Sequence, residues 1–414
     1  MDAGKFFSKY LKGDTTIWVV FFFLCIFSSI ELYSASSTLA FKAANHTAPM
    51  LQHISFLAVG ALLAYLIHLI PYKYIRIFSY AGLLISFVLL LYVMNHGEGA
   101  NDANRWVRIL GIKFQPSELA KLSLVIVVAD FISRIRANPV EEKKYFIWIL
   151  VVSGIIIGLI FFENFSTAAI LGLVVFCMMF IGKIQLKKLF GIVGAIVVLL
   201  LFVFWTVKLV PEGKMPKMFH RFYTWENRID RTRNETDENK YIITDENLQV
   251  QHGRIAVARG GLFGKFPGNS VERDYLPHAY DDFIFSIIIE EMGLAGGFII
   301  MFLYLVLLFR TGQIASVCKS TFPAVMVTGL GLLITLQAAV NMFVGSGFGL
   351  VTGQPLPLIS RGGTSILVTC IYFGIILGVI REIKEENEVK TTGETPTVDD
   401  FNSDLSETYN IEEI

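Results

Sequence analysis

The chain has 414 residues, of which 54% are hydrophobic and only 17% charged, with 35 basic and 35 acidic side chains in balance. A water-soluble domain carries about 25% charged residues, and the shortfall here is gathered into long uncharged runs such as 148–161 and 190–207. About ten such runs, each near the ~20 residues that cross a hydrocarbon core, exclude a soluble enzyme and predict an all-α polytopic membrane protein.

In chain order the spans are predicted at 16–36, 51–71, 74–94, 116–135, 145–162, 165–183, 188–210, 282–309, 322–344 and 363–380. No cleavable leader is read, because the first run is long enough to remain as a span. Lys5, Lys9 and Lys12 precede it. Alternate connections carry Lys73 and Arg76; Arg134, Arg136, Lys143 and Lys144; Lys183, Lys187 and Lys188; Arg310 and Lys319; and Arg381 and Lys384. The positive-inside rule puts these residues and both termini in the cytoplasm. Residues 1–386 then form one membrane domain, and the acidic segment 387–414 reads as a disordered cytoplasmic tail.

The opposite side is left with the loop 95–115, a turn at Glu163 and Asn164, a large extracytoplasmic loop 211–281 between spans seven and eight, and the Gly/Pro-rich segment 345–362. Long loops cross regardless of charge. That does not account for Arg105, Arg108 and Lys113 in the short loop 95–115, which point to an anionic ligand. Within the large loop, 214–229 mixes aromatics and cations as an interfacial helix does. Residues 230–246 are polar, and 249–264 reads as a short helix ended by Gly260 and Gly261. The four cysteines have no metal-ligand spacing, and GxxxxGK[ST] and HExxH are absent. An ATP-driven pump or a zinc protease is therefore unsupported. No metal site or cofactor is evident, and a divalent cation is left open.

Three stretches concentrate polar residues at span ends. In LPHAYDDFIFSIIIEEMG (276–293), Pro277 limits the helix start and Asp281 is a plausible N-cap. Asp282 would sit in the first turn at the membrane surface, either as a helix-dipole partner or as a base that meets both a lipid head group and water. Glu290 and Glu291 lie about 12–13 Å farther along the same helix and receive no chemical role. In FQPSELAKL (114–122), Pro116 suits a first helical position with Gln115 or Phe114 at the cap. Glu118 and Lys121, three apart, share a face, either as a structural ion pair or as the polar wall of a ligand cavity. Asp130 and Arg134 read as structural. In VTGQPLPLISRGGTS (351–365), irregular backbone near membrane depth requires burial in protein or a wet cavity, where exposed amides suit phosphate or sugar.

With NRWVRILGIKFQPSELAKL (104–122), GGLFGKFPGNS (260–270), LPHAYDDFIFSIIIEEMG and GQPLPLISRGGTS (353–365) in this order, the chain resembles the SEDS family, the FtsW/RodA polytopic proteins of bacterial cell-wall synthesis. The GNS at 268–270 and the run after it resemble the FtsW cell-division branch. The resemblance implies the ten-helix SEDS fold in the bacterial cytoplasmic (inner) membrane. It also implies polymerisation of lipid II, the undecaprenyl-diphosphate-linked disaccharide peptide, into β-1,4 glycan strands. A class B penicillin-binding protein (a transpeptidase) and other division proteins are the implied partners, and nucleic acid is not. The family's essential aspartate falls on Asp282, and its acid and lysine fall on Glu118 and Lys121.

On this reading Asp282 is the general base. Arg105, Lys121, and Lys265 or Arg259 are expected at the diphosphates, and Gln115, Glu118, Gln249, Gln354 and Ser360 are further substrate-binding candidates. The sequence departs from the family at three places. His278-Ala279-Tyr280-Asp281 replaces the usual Glu-x-His-Thr, Asn164 stands for an acid, and Arg361 stands for a tyrosine. The residues alone leave open a lipid II flippase or other transporter, or a non-catalytic scaffold. A RodA-type elongation polymerase is the nearest alternative within the family.

Overall fold

A computed structural model describes residues 12–35, 48–100, 103–109, 111–209, 243–244, 247–276, 279–348 and 351–392. Lys5 and Lys9, segments 214–229 and 230–242, Pro277, His278 and the acidic residues beyond Thr392 lie outside the described residues. The helices in chain order are α1 (Thr15–Ala35), α2 (Ala48–Leu69), α3 (Tyr72–His96), α4 (Pro116–Ala137), α5 (Glu142–Glu163), α6 (Phe165–Ile181), α7 (Leu186–Leu209), α8 (Leu248–Gly260), α9 (Ile284–Val317), α10 (Thr321–Gly345) and α11 (Gly363–Thr392). All but α8 coincide with an expected span. Among the described residues, seven helices are long and apolar enough to cross a membrane by length and composition: α1, α2, α3, α5, α9, α10 and α11. In α4 the apolar run is interrupted by Glu118, Lys121 and Asp130, all buried. Its position explains this tolerance, because α3, α5, α6, α10 and α11 all pack around it.

The basic connections gather at one end of the bundle. Asp130 on α4 is buried and receives Arg76 and Tyr80 of α3 together with Arg134 Nε at 2.9 Å. Lys188 pairs with Glu142 at 2.8 Å, and Arg310 with Asp14 at 2.8 Å. Lys12 lies 3.3 Å from Glu385. Apart from Asp130–Arg134 within α4, each pair joins two elements at the end assigned to the cytoplasm by charge. The α11 helix runs on to Thr392, past the change to acidic composition.

At the other end, segment 98–114 is a small antiparallel sheet, β1 (Glu98–Ala100), β2 (Ala103–Ile109) and β3 (Ile112–Phe114), in the order β1-β2-β3. The sequence reading had only a loop here. Val107 pairs with Phe114, Arg108 with Lys113 and Ile109 with Ile112, and Gly111, just before β3, takes φ +83°, a conformation glycine adopts without steric cost.

The described part of the large loop does not stand clear of the bundle. The α8 helix descends along α9. A Cβ at Gly253 would meet Phe283, and one at Gly260 would stand 2.0 Å from the Ile289 carbonyl oxygen. Inside α9, Gly293 adopts φ +70° and breaks the helix. The returning chain fills the break. Lys265 N donates to Glu290 O (3.0 Å) and Phe266 N to Glu291 O (2.7 Å), while Leu294 N donates to Gly261 O (2.9 Å) and Ala295 N to Leu262 O (3.2 Å). The hairpin thus reaches nine residues past the start of α9, about 14 Å at 1.5 Å per residue.

This also accounts for the two glutamates that the sequence left without a role. Glu290 accepts from Ser270 Oγ (2.5 Å), Val271 N (3.2 Å), Glu272 N (3.2 Å) and Lys265 Nζ (3.2 Å). Glu291 accepts from Ser34 Oγ and from Ser270 N (3.2 Å). They hold the return strand of the hairpin.

Gly264 has φ +73°, and a Cβ on it would stand 2.2 Å from the Glu291 carbonyl oxygen. Gly264→Ala is expected to destabilise the purified protein by roughly 2 kcal/mol or more, read as a lower Tm in detergent. Gly312→Ala, which meets nothing within 4 Å, is the control and is expected to leave Tm unchanged or raised.

Candidate functional site

The turn at 279–283 delivers Asp282 to the end of the bundle. It was expected to be the start of a helix capped by Asp281. Instead α9 begins at Ile284, and the cap position, Phe283, makes no side-chain cap. The reason lies in the three preceding carbonyls, which are captured by other elements. Tyr280 O accepts from Arg361 N (2.9 Å), Asp281 O from Ser360 Oγ (2.6 Å) and Asp282 O from Asn341 Nδ2 (3.0 Å). Beneath the turn, Leu276, Ala279, Phe283, Ile287 and Val344 form a small apolar cluster of their own.

Segment 351–362, between α10 and α11, is fixed on both sides. Gln354 is buried, its Nε2 donates to Thr167 Oγ1 (2.7 Å), and its carbonyl accepts from Asn341 Nδ2 (2.7 Å). Ser360 Oγ accepts from Leu356 N (2.7 Å) while donating to Asp281 O. Asn164 caps α6 through Oδ1, which accepts from Ser166 N (3.0 Å) and Thr167 N (3.4 Å), and its Nδ2 donates to Thr352 O (3.5 Å). The asparagine that stands in place of an acid is thus a helix cap that also ties down this segment.

Arg105 on β2 donates through Nε to the Glu163 carbonyl at 3.2 Å, which aims the guanidinium at the same place. A Cβ built on Gly353 would meet Arg105 Nη1 at 3.3 Å and Asp282 Oδ2 at 3.7 Å. The sheet, the α5–α6 turn, the start of α9 and segment 351–362 therefore converge over the backbone of Gly353. A carboxylate oxygen of Asp282 and a guanidinium nitrogen of Arg105 both border that point. Nearby, Arg361 lies over the Tyr280 ring at 5.5 Å. Burial, and then the Asp281 carboxylate, push the Tyr280 phenol above its ordinary pKa, with Arg361 opposing.

The remaining candidates are distributed differently. Gln115 occupies the cap position of α4, with Pro116 first in the helix, and its Nε2 donates to Ser117 Oγ at 3.0 Å. Glu118 and Lys121 are both buried and pair with each other at 2.8 Å, and Tyr372 Oη donates to Glu118 O at 3.4 Å. Arg259 Nη1 donates to Glu272 Oε1 at 2.5 Å, while His252 Nδ1 lies 2.6 Å from the other Glu272 oxygen. Lys265 pairs with Glu290 at 3.2 Å. The positive charges of Arg259 and Lys265 are thus compensated along the α8–α9 hairpin, away from Gly353, where Arg105 Nη1 and Asp282 Oδ2 both lie. Gln249 is half-buried on α8. Asn341 escaped the sequence reading, because a single polar residue in an apolar span carries no motif. Among the described residues, no group of three or more His, Cys, Asp or Glu side chains converges to hold a metal.

A family model described as a cell cycle protein, FtsW/RodA/SpoVE, matches residues 14–385. The chain is 33% identical over 395 residues to the probable peptidoglycan glycosyltransferase FtsW of Enterococcus hirae, covering 92% of this chain and 95% of that protein. It is 30% identical over 404 residues to the protein of the same name from Bacillus subtilis (strain 168), covering 92% and 94%. Two solved structures share the fold. One chain, described under "Structural coordination of polymerization and crosslinking by a peptidoglycan synthase complex", superposes with a TM-score of 0.70 at 22% identity, over 90% of this chain and 98% of that one. The rod shape determining protein RodA of Thermus thermophilus gives 0.61 at 21% identity, over 90% and 98%.

Asn341→Ala removes the donors to the Asp282 and Gln354 carbonyls. It is expected to cost on the order of 2–4 kcal/mol for two carbonyls left unmatched, read as a lower Tm. Hydrogen–deuterium exchange should also speed up at residues 284–287 and not in α5. Unchanged exchange there would show that Asn341 does not hold the turn.

Proposed function

The chain belongs to the FtsW/RodA/SpoVE family of cell cycle proteins, and from that premise we propose that it is a peptidoglycan glycosyltransferase. It polymerises lipid II into β-1,4 glycan strands for the septal wall, with Asp282 as the general base. The observation that carries the assignment of the site is the meeting of Asp282 and Arg105 over Gly353. Curated relatives named as glycosyltransferases support the activity.

The reaction joins two lipid-linked sugars. The 4-hydroxyl of the acceptor GlcNAc gives its proton to the Asp282 carboxylate as its oxygen attacks the anomeric carbon of the donor. The bond from that carbon to the phosphate oxygen breaks, and undecaprenyl diphosphate leaves with the electron pair. Attack opposite the leaving group turns the α-linked donor into a β-1,4 product. The charge that grows on the diphosphate needs a fixed cation, and Arg105 supplies it. Its direction is set beforehand by the Glu163 carbonyl, so little reorganisation accompanies the reaction. Lys121 serves as a second phosphate donor only on exchanging Glu118 for the ligand. Gln354 and Ser360 act by holding the 280–282 turn and segment 351–362 in register.

The remaining assignments complete this reading. Ten helices span the cytoplasmic membrane, the ion-paired end faces the cytoplasm with both termini, and the Asp282 end faces outward, where lipid II presents its sugars. A class B penicillin-binding protein cross-links the product. The solved complex that couples polymerization with crosslinking in its description supports such a partner.

With purified protein, partner and lipid II in detergent, Asp282→Ala and Asp282→Asn are expected to lower the polymerisation rate by about 10²–10⁴-fold at unchanged Tm. Polymer made at the wild-type rate by either variant would sink the base assignment. Detergent offers no second compartment, so a lipid II transporter would yield no polymer even from the wild type.

A further inference from the structure

Glu31 lies on α1, fully buried, and neither of its carboxylate oxygens has a hydrogen-bond partner. Ser34, three residues on, shares that face of the helix, and its hydroxyl donates to Glu291 Oε1. Glu31 itself is within electrostatic reach of Glu291. The second oxygen of Glu291, Oε2, is also buried without a hydrogen-bond partner. The two glutamates come from helices far apart in sequence, and neither contributes to the Asp282 site.

The groups around them leave a charge uncompensated. Glu290 has its oxygens filled by Ser270 Oγ, Val271 N, Glu272 N and Lys265 Nζ. Arg273 Nη1 lies 3.8 Å from Glu291 Oε1 and donates to Ser34 O and Ser34 Oγ, both at 3.0 Å. Its Nε lies 3.7 Å from the exposed Asp274. Gly268 N also donates to Ser34 Oγ at 3.1 Å. On the α2 side, His53 Nε2 lies 2.7 Å from Ser28 Oγ, one turn before Glu31. Three buried carboxyl groups, Glu31, Glu290 and Glu291, thus face two cations, Lys265 and Arg273, and Arg273 is shared with Asp274. Among the described residues these carboxyl groups outnumber the cations by one, and Glu31 and Glu291 Oε2 lack donors, while Arg273 Nε is buried without a hydrogen bond of its own. A buried carboxylate without a counter-charge or a donor is strongly disfavoured, and two such like charges side by side more so.

We propose that Glu31 and Glu291 form a proton-binding site, in which one carboxylic acid and one carboxylate hold a single proton between α1 and the α8–α9 hairpin. The proton is delivered by hydronium: one O–H bond forms on a carboxylate oxygen, one breaks on the hydronium, and a water molecule is released. The proton supplies the hydrogen that Glu31 or Glu291 Oε2 lacks. The site latches the end of α1 to residues 268–273, the strand that leads to the Asp282 turn. The inference stands on these contacts and does not depend on the proposed chemistry at Asp282.

The test is infrared spectroscopy of the full-length protein in detergent at neutral pH. The C=O stretch of a protonated carboxylic acid should be present in the wild type, shift in D2O and stay unmoved when sodium is exchanged for potassium or choline. Glu31→Gln is expected to abolish that band and to keep Tm at or above the wild-type value, since the amide brings its own hydrogens to Glu291. Glu31→Met provides the same spectral comparison should the glutamine variant fail to fold. A band that survives in both variants overturns the proposal. So does a wild type with no such band, whether or not its Tm rises with alkali-metal concentration at constant ionic strength. A rise of that kind would make the pair a metal-cation site instead.

Discussion

A helix that breaks inside a bilayer leaves carbonyls and amides that no solvent can satisfy, and the half of this protein that carries Asp282 is organised around one such break. At Gly293 the α9 ladder stops. The four backbone groups it orphans are matched by the Gly261–Phe266 segment. The depth of the α8 hairpin follows from this exchange. So does the placement of Glu290 and Glu291, whose carboxylates receive the returning strand just above the break. The turn bearing Asp282 then inherits its position from a strand anchored at that depth.

Charge is handled by different means at the two ends of the bundle. At the ion-paired end, Asp130 gathers Arg76 and Arg134, both partly exposed, so water shares the cost of holding them. Pairs of this kind fix helices relative to one another without demanding an apolar environment for every charge. Around the Asp282 turn the groups that hold the backbone are neutral amides, hydroxyls and carbonyls: Asn164, Thr167, Asn341, Gln354 and Ser360. They bring one carboxylate and one guanidinium to the same glycine, Gly353. A site that must stabilise charge appearing during a reaction benefits from fixed dipoles that need not move.

The spans were legible because lipid imposes a length and a composition that few other settings require. The Gln115–Pro116 start of α4 and the Gly260–Gly261 end of α8 were legible because the signals are local. Asp281 misled for the opposite reason. Its residue type suits a cap, but tertiary bonds to three successive carbonyls postpone the helix to Ile284. The sheet at 98–114 went unread because strands of three to seven residues inside a polar loop show too little alternation to register. Arg259 and Lys265 drew attention as cations on the outer side. Their partners, Glu272 and Glu290, lie 13 and 25 residues away in sequence, a pairing that only the folded hairpin reveals. The convergence of Asp282 with Arg105 was not visible either, since it depends on the Glu163 carbonyl and on the absent side chain of Gly353.

That absent side chain bears on time as well as on space. A gap walled by side chains can widen within picoseconds to nanoseconds by a change of rotamer, whereas one floored by a main-chain atom must wait for its segment to shift, on the slower scale of loop motion. Here the floor is Gly353, next to Gln354, whose amide and carbonyl are both tethered. The clearance beside Gly353 is therefore set by a segment held at Gln354 through its side-chain amide and its main-chain carbonyl. Widening that clearance becomes a collective event of segment 351–362, and its pace is written into two hydrogen bonds made by Gln354, the residue beside the glycine.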